Sequence, residues 1–297
     1  MPLRLAVLSR GARLYSTRRL VEAARRRGYA ARAVDFAEVG VVLDGRGGVD
    51  LSGAGIEGCN AALGRISPLY TPLGASVLAA VEAAGLACLP SAKALLGVRD
   101  KFRAHLTLGR AGVATPATAM VNDLRELPQV VERLGGYPLV AKPVTGTQGE
   151  YVLLVRDRAE AVAALRAAAD ERRGVLLQTY VAETGGADVR ALVCGGRVVA
   201  AMTRTPAAGE FRSNLHRGGT PRATALSPAE AHLALGAAAA LDLDFAGVDL
   251  LRTEGGPLVI EVNASPGLEG IETATGIDVA GALVDYLADR LRLPSPA

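Results

Sequence analysis

Two apolar, β-branched runs, Phe245-Ala-Gly-Val-Asp-Leu-Leu251 and Leu258-Val-Ile-Glu-Val-Asn263, flank the turn cluster Thr253-Glu-Gly-Gly256. A cluster that can supply positive φ between such runs folds the chain back as two antiparallel strands. Side chains alternate faces along a strand, so Glu261 and Asn263 share one face while Ile260 and Val262 share the other. With the turn centred on Gly255, Asp249 lies opposite Glu261 on an exposed strand, with Cβ atoms about 5 Å apart. Two carboxylates and an amide oxygen, with no Cys or His nearby, suit a hard cation such as Mg²⁺ that keeps waters and recruits phosphates. A surface hairpin with scattered acids is the plainer alternative, and the hairpin alone leaves both open.

The rest of the chain supplies enough apolar residues for two or three cores: 297 residues, 50% hydrophobic. A strand at Leu3 to Ser9, a helix behind a Ser16-Thr17 cap and a strand at Ala30 to Val34 make a βαβ opening, which predicts a parallel sheet with helices on its faces. A hairpin between Gly40 and Ser52, a strand from Asn60, a helix from Leu73 and a strand at Leu86 to Leu89 complete a first unit. A helix from Asp100 to Gly112 is stopped before Pro116. The middle reads as an α+β unit: helix Leu124 to Leu134, strand Leu139 to Pro143, strand Tyr151 to Val155, helix Ala159 to Ala169 and strand Val175 to Thr179. The last unit holds a hairpin from Val189 to Arg204, a polar loop, helix Pro228 to Leu241, the carboxylate hairpin and a helix from about Ile277.

Charge narrows the partners. The 33 basic and 30 acidic residues leave a net of +3, which gives no global basic field for nucleic acid. Cys59, Cys88 and Cys194 have neither metal-ligand spacing nor an even count, so they read as small buried residues in a reducing compartment. The opening apolar run is too short for a signal peptide, and no uninterrupted apolar span reaches membrane length. A cytoplasmic location is the expectation.

Three further stretches carry chemistry. Pro143-Val-Thr-Gly-Thr-Gln-Gly149 joins two predicted strands, and Gly146, Thr147, Gln148 and Gly149 leave backbone N–H groups free to approach an anion; an ordinary flexible hairpin is the alternative. Lys142 ends the preceding strand and Lys101 opens a helix. Each alone reads as solvated, but with the glycine loop and the hairpin they share one explanation, neutralisation of a nucleoside triphosphate. Glu210-Phe-Arg-Ser-Asn-Leu-His-Arg-Gly-Gly219 is dense in donors: Arg212, Ser213 and Asn214 can reach a phosphate or a developing oxyanion. His216 receives no catalytic role.

Taken together these residues resemble the ATP-grasp carboxylate–amine ligases, and within them the RimK-type α-L-glutamate ligases. The resemblance rests on Leu8-Ser-Arg10, Leu14-Tyr-Ser16, Arg19-Leu20, Arg99-Asp-Lys101, Gly146-Thr-Gln-Gly149, Phe211 to Gly219, and Glu261-Val-Asn-Ala-Ser-Pro-Gly-Leu-Glu-Gly-Ile271. It implies an α/β, ATP-grasp fold with an N-terminal Rossmann-like pre-ATP-grasp domain over residues 1–98, a lid subdomain over 99–180 and a C-terminal subdomain over 181–297. It implies that Lys101 and Lys142 hold the phosphates, that Gln178, Thr179, Tyr180 and Val181 meet the adenine through their backbone, and that Asp188 lies near the ribose. Arg212, Ser213 and Asn214 would contact phosphates and the reacting acyl group, with Arg212 the catalytic cation; Asp249, Glu261 and Asn263 would bind two Mg²⁺ or Mn²⁺ ions, Glu261 bridging.

The implied reaction joins L-glutamate, through an acyl phosphate, to the C-terminal carboxylate of an acidic protein tail of the ribosomal-protein type or of a glutamate chain. A homo-oligomer, a tetramer, follows from resemblance only. An amide ligase with a small-molecule or carrier-protein acceptor, a kinase of the same fold and a catalytically silent ATP-binding regulator are the other readings. The chain departs from the family pattern at Thr179, where a Glu is usual, at Glu150 and Tyr151, where a small or apolar residue and a Gly are usual, and at Thr203, Thr205 and Pro206.

Overall fold

Apolar runs and turn signals resolve into three sheets in a computed structural model that describes residues 2–146, 151–170, 174–215 and 218–291. The first contains β1 (Arg4–Leu8), β2 (Ala30–Val34), β5 (Ala61–Gly64) and β6 (Ala87–Leu89), ordered β2-β1-β5-β6 and parallel throughout. Leu5, Ala6, Val7 and Leu8 are all buried, as a strand covered on both faces requires. Helices α1 (Tyr15–Arg26) and α2 (Thr71–Ala83) supply cover, and β3 (Gly40–Leu43) pairs with β4 (Val49–Ser52) as the expected separate ribbon.

The Ser16-Thr17 cap is corrected. Leu14 occupies the cap position without a side-chain bond, because both hydroxyls are engaged elsewhere. Thr17 Oγ1 donates to Ser9 Oγ at 2.9 Å, and Ser16 Oγ accepts the Leu268 N–H at 3.0 Å. Sequence reading also missed α3 (Ala92–Arg99), which Ser91 caps by accepting the Ala94 N–H. Asp100 then caps α4 (Lys101–Arg110) by accepting the Arg103 N–H, so the two helices meet at one residue.

The second sheet is antiparallel: β7 (Thr118–Met120), β8 (Leu139–Pro143), β9 (Leu153–Val155) and β10 (Val175–Thr179), ordered β7-β10-β8-β9. Helices α5 (Leu127–Arg133) and α6 (Arg158–Asp170) accompany it. The third, also antiparallel, contains β11 (Asp188–Cys194), β12 (Arg197–Thr205), β13 (Thr220–Ala223), β14 (Phe245–Leu251) and β15 (Leu258–Asn263), ordered β13-β12-β11-β14-β15. It packs with α7 (Pro228–Ala240), α8 (Glu269–Thr275) and α9 (Val279–Arg290). The carboxylate hairpin has the expected register, Asp249 opposite Glu261, with a bulge after Asp249. It is not an exposed strand, however: all of β14 is buried, because β11 and β15 flank it and α7 covers it.

Three apolar cores organise these elements. Two of them mix residues of the first and third sheets: Leu8 and Leu78 cluster with Val189 and Val248, and Leu5 and Leu20 with Leu192 and Val284. The second sheet keeps its own core around Leu127, Leu139, Leu165 and Leu177. Arg19 adds ion pairs to Glu272 at 3.0 Å and Asp278 at 2.8 Å, tying α1 to the C-terminal helices. Such partly exposed pairs add little beside the apolar burial. Among the described residues no helix is long and apolar enough to cross a membrane.

A separate core makes the second sheet separately breakable. Leu139→Ala is expected to cost about 2–5 kcal/mol locally. Hydrogen exchange would then quicken across 118–179 while β1 and β14 keep their protection; equal loss in all three sheets would refute the independence of this unit.

Candidate functional site

Strand pairing delivers the site's charges to one place. In the third sheet Asp188 lies opposite Arg204 and Arg190 opposite Asp249, so alternation puts a row of opposite charges on one face, with Glu261 across from Asp249 at its end. Arg190 forks onto Asp249, with Nε to Oδ1 and Nη2 to Oδ2 both at 2.7 Å. Arg204 forks onto Asp188 at 2.7 and 2.6 Å and reaches Asp249 Oδ2 at 2.9 Å. Ser213 Oγ donates to Asp188 Oδ2 at 2.6 Å. Asp249, Arg204 and Asp188 are 2%, 3% and 6% exposed, so these ions hold one another away from water.

That arrangement sets their protonation. Burial opposes the Asp249 charge, but Arg190 and Arg204 hold it below the ordinary carboxylate value. Burial, aided by Asp249, raises Asp188 above that value against the pull of Arg204. Burial also opposes the Arg204 charge, and the two aspartates more than compensate. Sequence reading assigned Asp188 and Asp249 but missed both arginines. The signal was present in the hairpin pairing, which sets Arg204 across from Asp188.

Two lysines converge on the same hairpin from other elements. Lys142, at the end of β8, is buried; its Nζ donates to Gln178 Oε1 at 2.9 Å and to the Ile260 carbonyl at 3.4 Å. Lys101, at the start of α4, donates through Nζ to the Gly146 carbonyl at 3.2 Å and stands 3.7 Å from Glu261 Oε1. Gln178 Nε2 donates to Thr118 Oγ1 at 2.8 Å and meets His105 Nε2 at 3.3 Å. Burial, with Lys142 adding to it, pushes His105 down to about 3, so its imidazole is neutral. Lys101, Lys142, Gln178, Thr179, Tyr180, Val181, Asp188, Arg212, Ser213, Asn214, Asp249 and Glu261 all line one cavity between the second and third sheets.

Local geometry shapes the cavity wall. Thr179, at the position where a Glu was expected, donates its hydroxyl to the Leu134 carbonyl at 3.0 Å and so faces α5. Tyr180 meets the edge of Phe211 at 6.4 Å. Gly186 has φ +81°, and a Cβ there would stand 2.6 Å from the Phe211 carbonyl oxygen, so no side chain fits. Arg212 forks onto Glu210 at 2.9 and 2.7 Å and donates to the Val152 carbonyl at 3.0 Å, linking the third sheet's loop to the second unit. In return Arg212 brings Glu210 down to about 2. Glu210 was a partner that sequence reading left out. Tyr151 has φ +56°, the left-handed region expected of the glycine it replaces. Thr147, Gln148, Gly149, Glu150 and His216 lie outside the described residues.

The donor set matches a hard divalent cation in chemistry. Glu261 is partly exposed to the cavity, and Asn263 Nδ2 is buried without a partner, so its amide is committed to no other group. Asp249 takes three guanidinium contacts, which leave about one of a carboxylate's four acceptor positions. Among the described residues no group of three His, Cys, Asp or Glu side chains forms an alternative metal cage.

Comparison with known proteins adds a family. Residues 3–95 match the RimK PreATP-grasp domain and residues 98–287 the RimK-like ATP-grasp domain. A protein of Cellvibrio japonicus (strain Ueda107) named probable alpha-L-glutamate ligase is 43% identical over 291 residues, covering 98% of this chain and 97% of its own. The RimK domain protein ATP-grasp from Sphaerobacter thermophilus DSM 20745 superposes with a TM-score of 0.74 at 25% identity, covering 95% of this chain and 98% of that one. D-alanine–D-alanine ligase from Bacillus anthracis, solved with ATP, shares the fold at a TM-score of 0.69 and 19% identity over 98% of both chains.

The state of Lys142 gives a test. Burial, with Lys101 adding to it and Glu261 opposing, brings its ammonium down to about 8. Above that pH the free protein holds the amine neutral, whereas phosphate oxygens favour the charged form. Nucleotide binding between pH 8 and the ordinary lysine value of about 10.4 should therefore take up as much as about one proton, and affinity should fall as pH rises. Calorimetry in buffers of different ionisation enthalpy would read the uptake. Lys142→Met should abolish it; uptake that survives belongs to another group.

Proposed function

The chain belongs to the RimK-like ATP-grasp family, whose members are ATP-dependent amide-forming ligases, and from that premise we propose that it adds L-glutamate to the C-terminal carboxylate of an acidic peptide tail. The observation that carries the reading is the meeting of Lys101, Lys142 and Glu261 at one cavity from three different elements. Two cations beside a carboxylate that faces the cavity suit a polyphosphate and its divalent ion. An acidic tail of the ribosomal-protein type or a glutamate chain fits the glutamate-ligase name of the relative and is the acceptor we propose.

ATP lies between the second and third sheets. Lys101 and Lys142 hold its phosphates, the backbone of Gln178, Thr179, Tyr180 and Val181 meets the adenine, and Asp188 lies on the ribose side. Thr147, Gln148 and Gly149 are counted among the phosphate-binding residues by family resemblance, while Ser213 and Asn214 bound the reacting end. Asp249, Glu261 and Asn263 hold Mg²⁺, two ions or one, which when bound supplies positive charge against the phosphates. The γ-phosphoryl group passes to an acceptor carboxylate oxygen as its bond to ADP breaks, giving an acyl phosphate. The amine of L-glutamate attacks the acyl carbon, phosphate leaves with the C–O bonding pair, and the amine's proton passes to solvent. Arg212 offsets charge on the tetrahedral oxyanion. Its bond to the Val152 carbonyl couples that duty to closure of the second unit, which keeps water from the acyl phosphate.

The functional division we propose is 1–98 for the pre-ATP-grasp domain, 99–180 for the lid and 181–297 for the metal-bearing subdomain. A cytoplasmic homo-oligomer is part of the same reading.

Incubating the protein with ATP, Mg²⁺ and L-glutamate, with and without a glutamate-ended peptide, tests it through ADP release and product mass together. Peptide increments of one glutamyl residue are expected. ADP released without an amide would point to a kinase or another acceptor, and no ADP to a silent regulator. Glu261→Gln should lower kcat by at least about 100-fold with little change in Tm, since the side chain is partly exposed and outside the buried charge row. Wild-type turnover in this variant at matched Mg²⁺ would sink the metal assignment.

A further inference from the structure

A second cavity of about 610 Å³ opens between the first and third sheets, adjoining the lysine pocket along the shared wall of Lys101, Gly146, Arg204, Asn214 and Glu261 and extending past Asn263. Five cations line it: Arg65, Arg99, Lys101, Arg190 and Arg204. Three have carboxylates, since Lys101 stands beside Glu261, Arg190 forks onto Asp249, and Arg204 is held by Asp188 and Asp249. Arg65 and Arg99 have none in contact, although Glu261 acts on Arg99 from a distance. Among the described residues neither guanidinium lies within 4.0 Å of an acid, and Glu269, the other carboxylate on the wall, is exposed and paired with neither.

What holds these two arginines is sparse. Arg65, just past β5, donates Nη2 to the Pro266 carbonyl at 2.8 Å. Arg99, at the end of α3, donates Nη2 to the Ile66 carbonyl, and its Nε is buried with no partner. Each fork thus keeps donors that nothing in the protein uses. Burial, with Arg99's charge adding to it, brings Arg65 down to about 10, and burial, opposed by the more distant Glu261, brings Arg99 to the same value. Two partly buried like charges on one cavity wall, close enough for one to lower the other, are costly to a fold unless an anion enters beside them.

We propose that Arg65 and Arg99 together receive a carboxylate that does not react, belonging to an acidic amino-acid substrate seated in this second cavity against Glu261 and Asn263. The planar forks match a carboxylate's two oxygens better than a lysine would. The cavity shares Lys101, Gly146 and Glu261 with the first pocket but none of Gln178 to Val181, so its occupant approaches the phosphate end of the nucleotide. This deepens the ligase reading and rests on it. The carboxylate has two sources, the incoming L-glutamate or the terminal glutamate of the acceptor, and the chemistry is the same for both.

The test compares full-length Arg65→Gln, Arg99→Gln and the charge-keeping Arg99→Lys with the unaltered protein. KM is measured separately for ATP, L-glutamate and a glutamate-ended peptide. The expected result is a rise of tenfold or more in KM for one carboxylate substrate, with KM for ATP within twofold and Tm unchanged or higher. A rise for L-glutamate assigns the pair to the incoming amino acid, and a rise for the peptide assigns it to the acceptor. Unchanged KM for both, or a loss confined to ATP, overturns the proposal, the latter by putting the pair on phosphate. If the unaltered protein makes no glutamylated product, the ligase reading fails separately. The carboxylate site is then read by the thermal shift that L-glutamate gives in the presence of ADP: a shift lost in Arg65→Gln and Arg99→Lys supports it, and no shift in the unaltered protein overturns it.

Discussion

The contact on which the rest depends is the fork of Arg190 onto Asp249, extended by Arg204 and Asp188. Burying three charges and most of a fourth in a sheet is unfavourable by several kcal/mol per ion, and near-ideal bidentate geometry makes it tolerable. That geometry exists because strand register sets each acid across from a base. A slip of one residue in β14 would turn Asp249 into the core behind the sheet and leave both guanidiniums unpaired. Register, charge order and the position of Glu261 at the cavity are therefore one constraint.

How far the chain was legible follows from where its information is local. The carboxylate hairpin could be read to the residue, since a Gly-Gly turn fixes the register of the strands it joins and period-two alternation fixes the faces. Strands β2, β8 and β10 could be read for a similar reason: each is an apolar run bounded by turn or polar residues. Elements whose existence depends on neighbours could not. Strands β7 and β13 are short and form only by pairing at sheet edges, and α8 is a two-turn helix that a sequence window cannot separate from a loop. The hydroxyls of Ser16 and Thr17 carry the local signature of a helix cap, yet contacts to Ser9 and the distant Leu268 engage them first.

The site divides along the same line. Asp249, Glu261, the lysines and the Phe211 to Asn214 stretch were recognisable by residue type and spacing, and Asp188 only through the family resemblance. Their restraints were not, because Arg190, Glu210, Arg65 and Arg99 draw their meaning from partners, or from the lack of them, across the fold. The cores show a comparable split. The first and third sheets share apolar interior and form one body, while the second sheet closes on its own leucines. Lys142 reaches from the second sheet to the Ile260 carbonyl, so a buried cation bridges the two bodies.

Tyr151 biases the second unit in another way. A residue with a Cβ pays about 1–2 kcal/mol to hold a left-handed backbone, so the segment that enters β9 sits in a conformation its own chemistry disfavours. In the language of populations, the shape described here is the minority choice of that residue and is kept by what surrounds it. A glycine at the same place would make both shapes nearly equal in free energy and leave the choice to the ligand. With tyrosine the choice is biased in advance, and part of any binding energy delivered to the segment is used in overcoming or exploiting that bias.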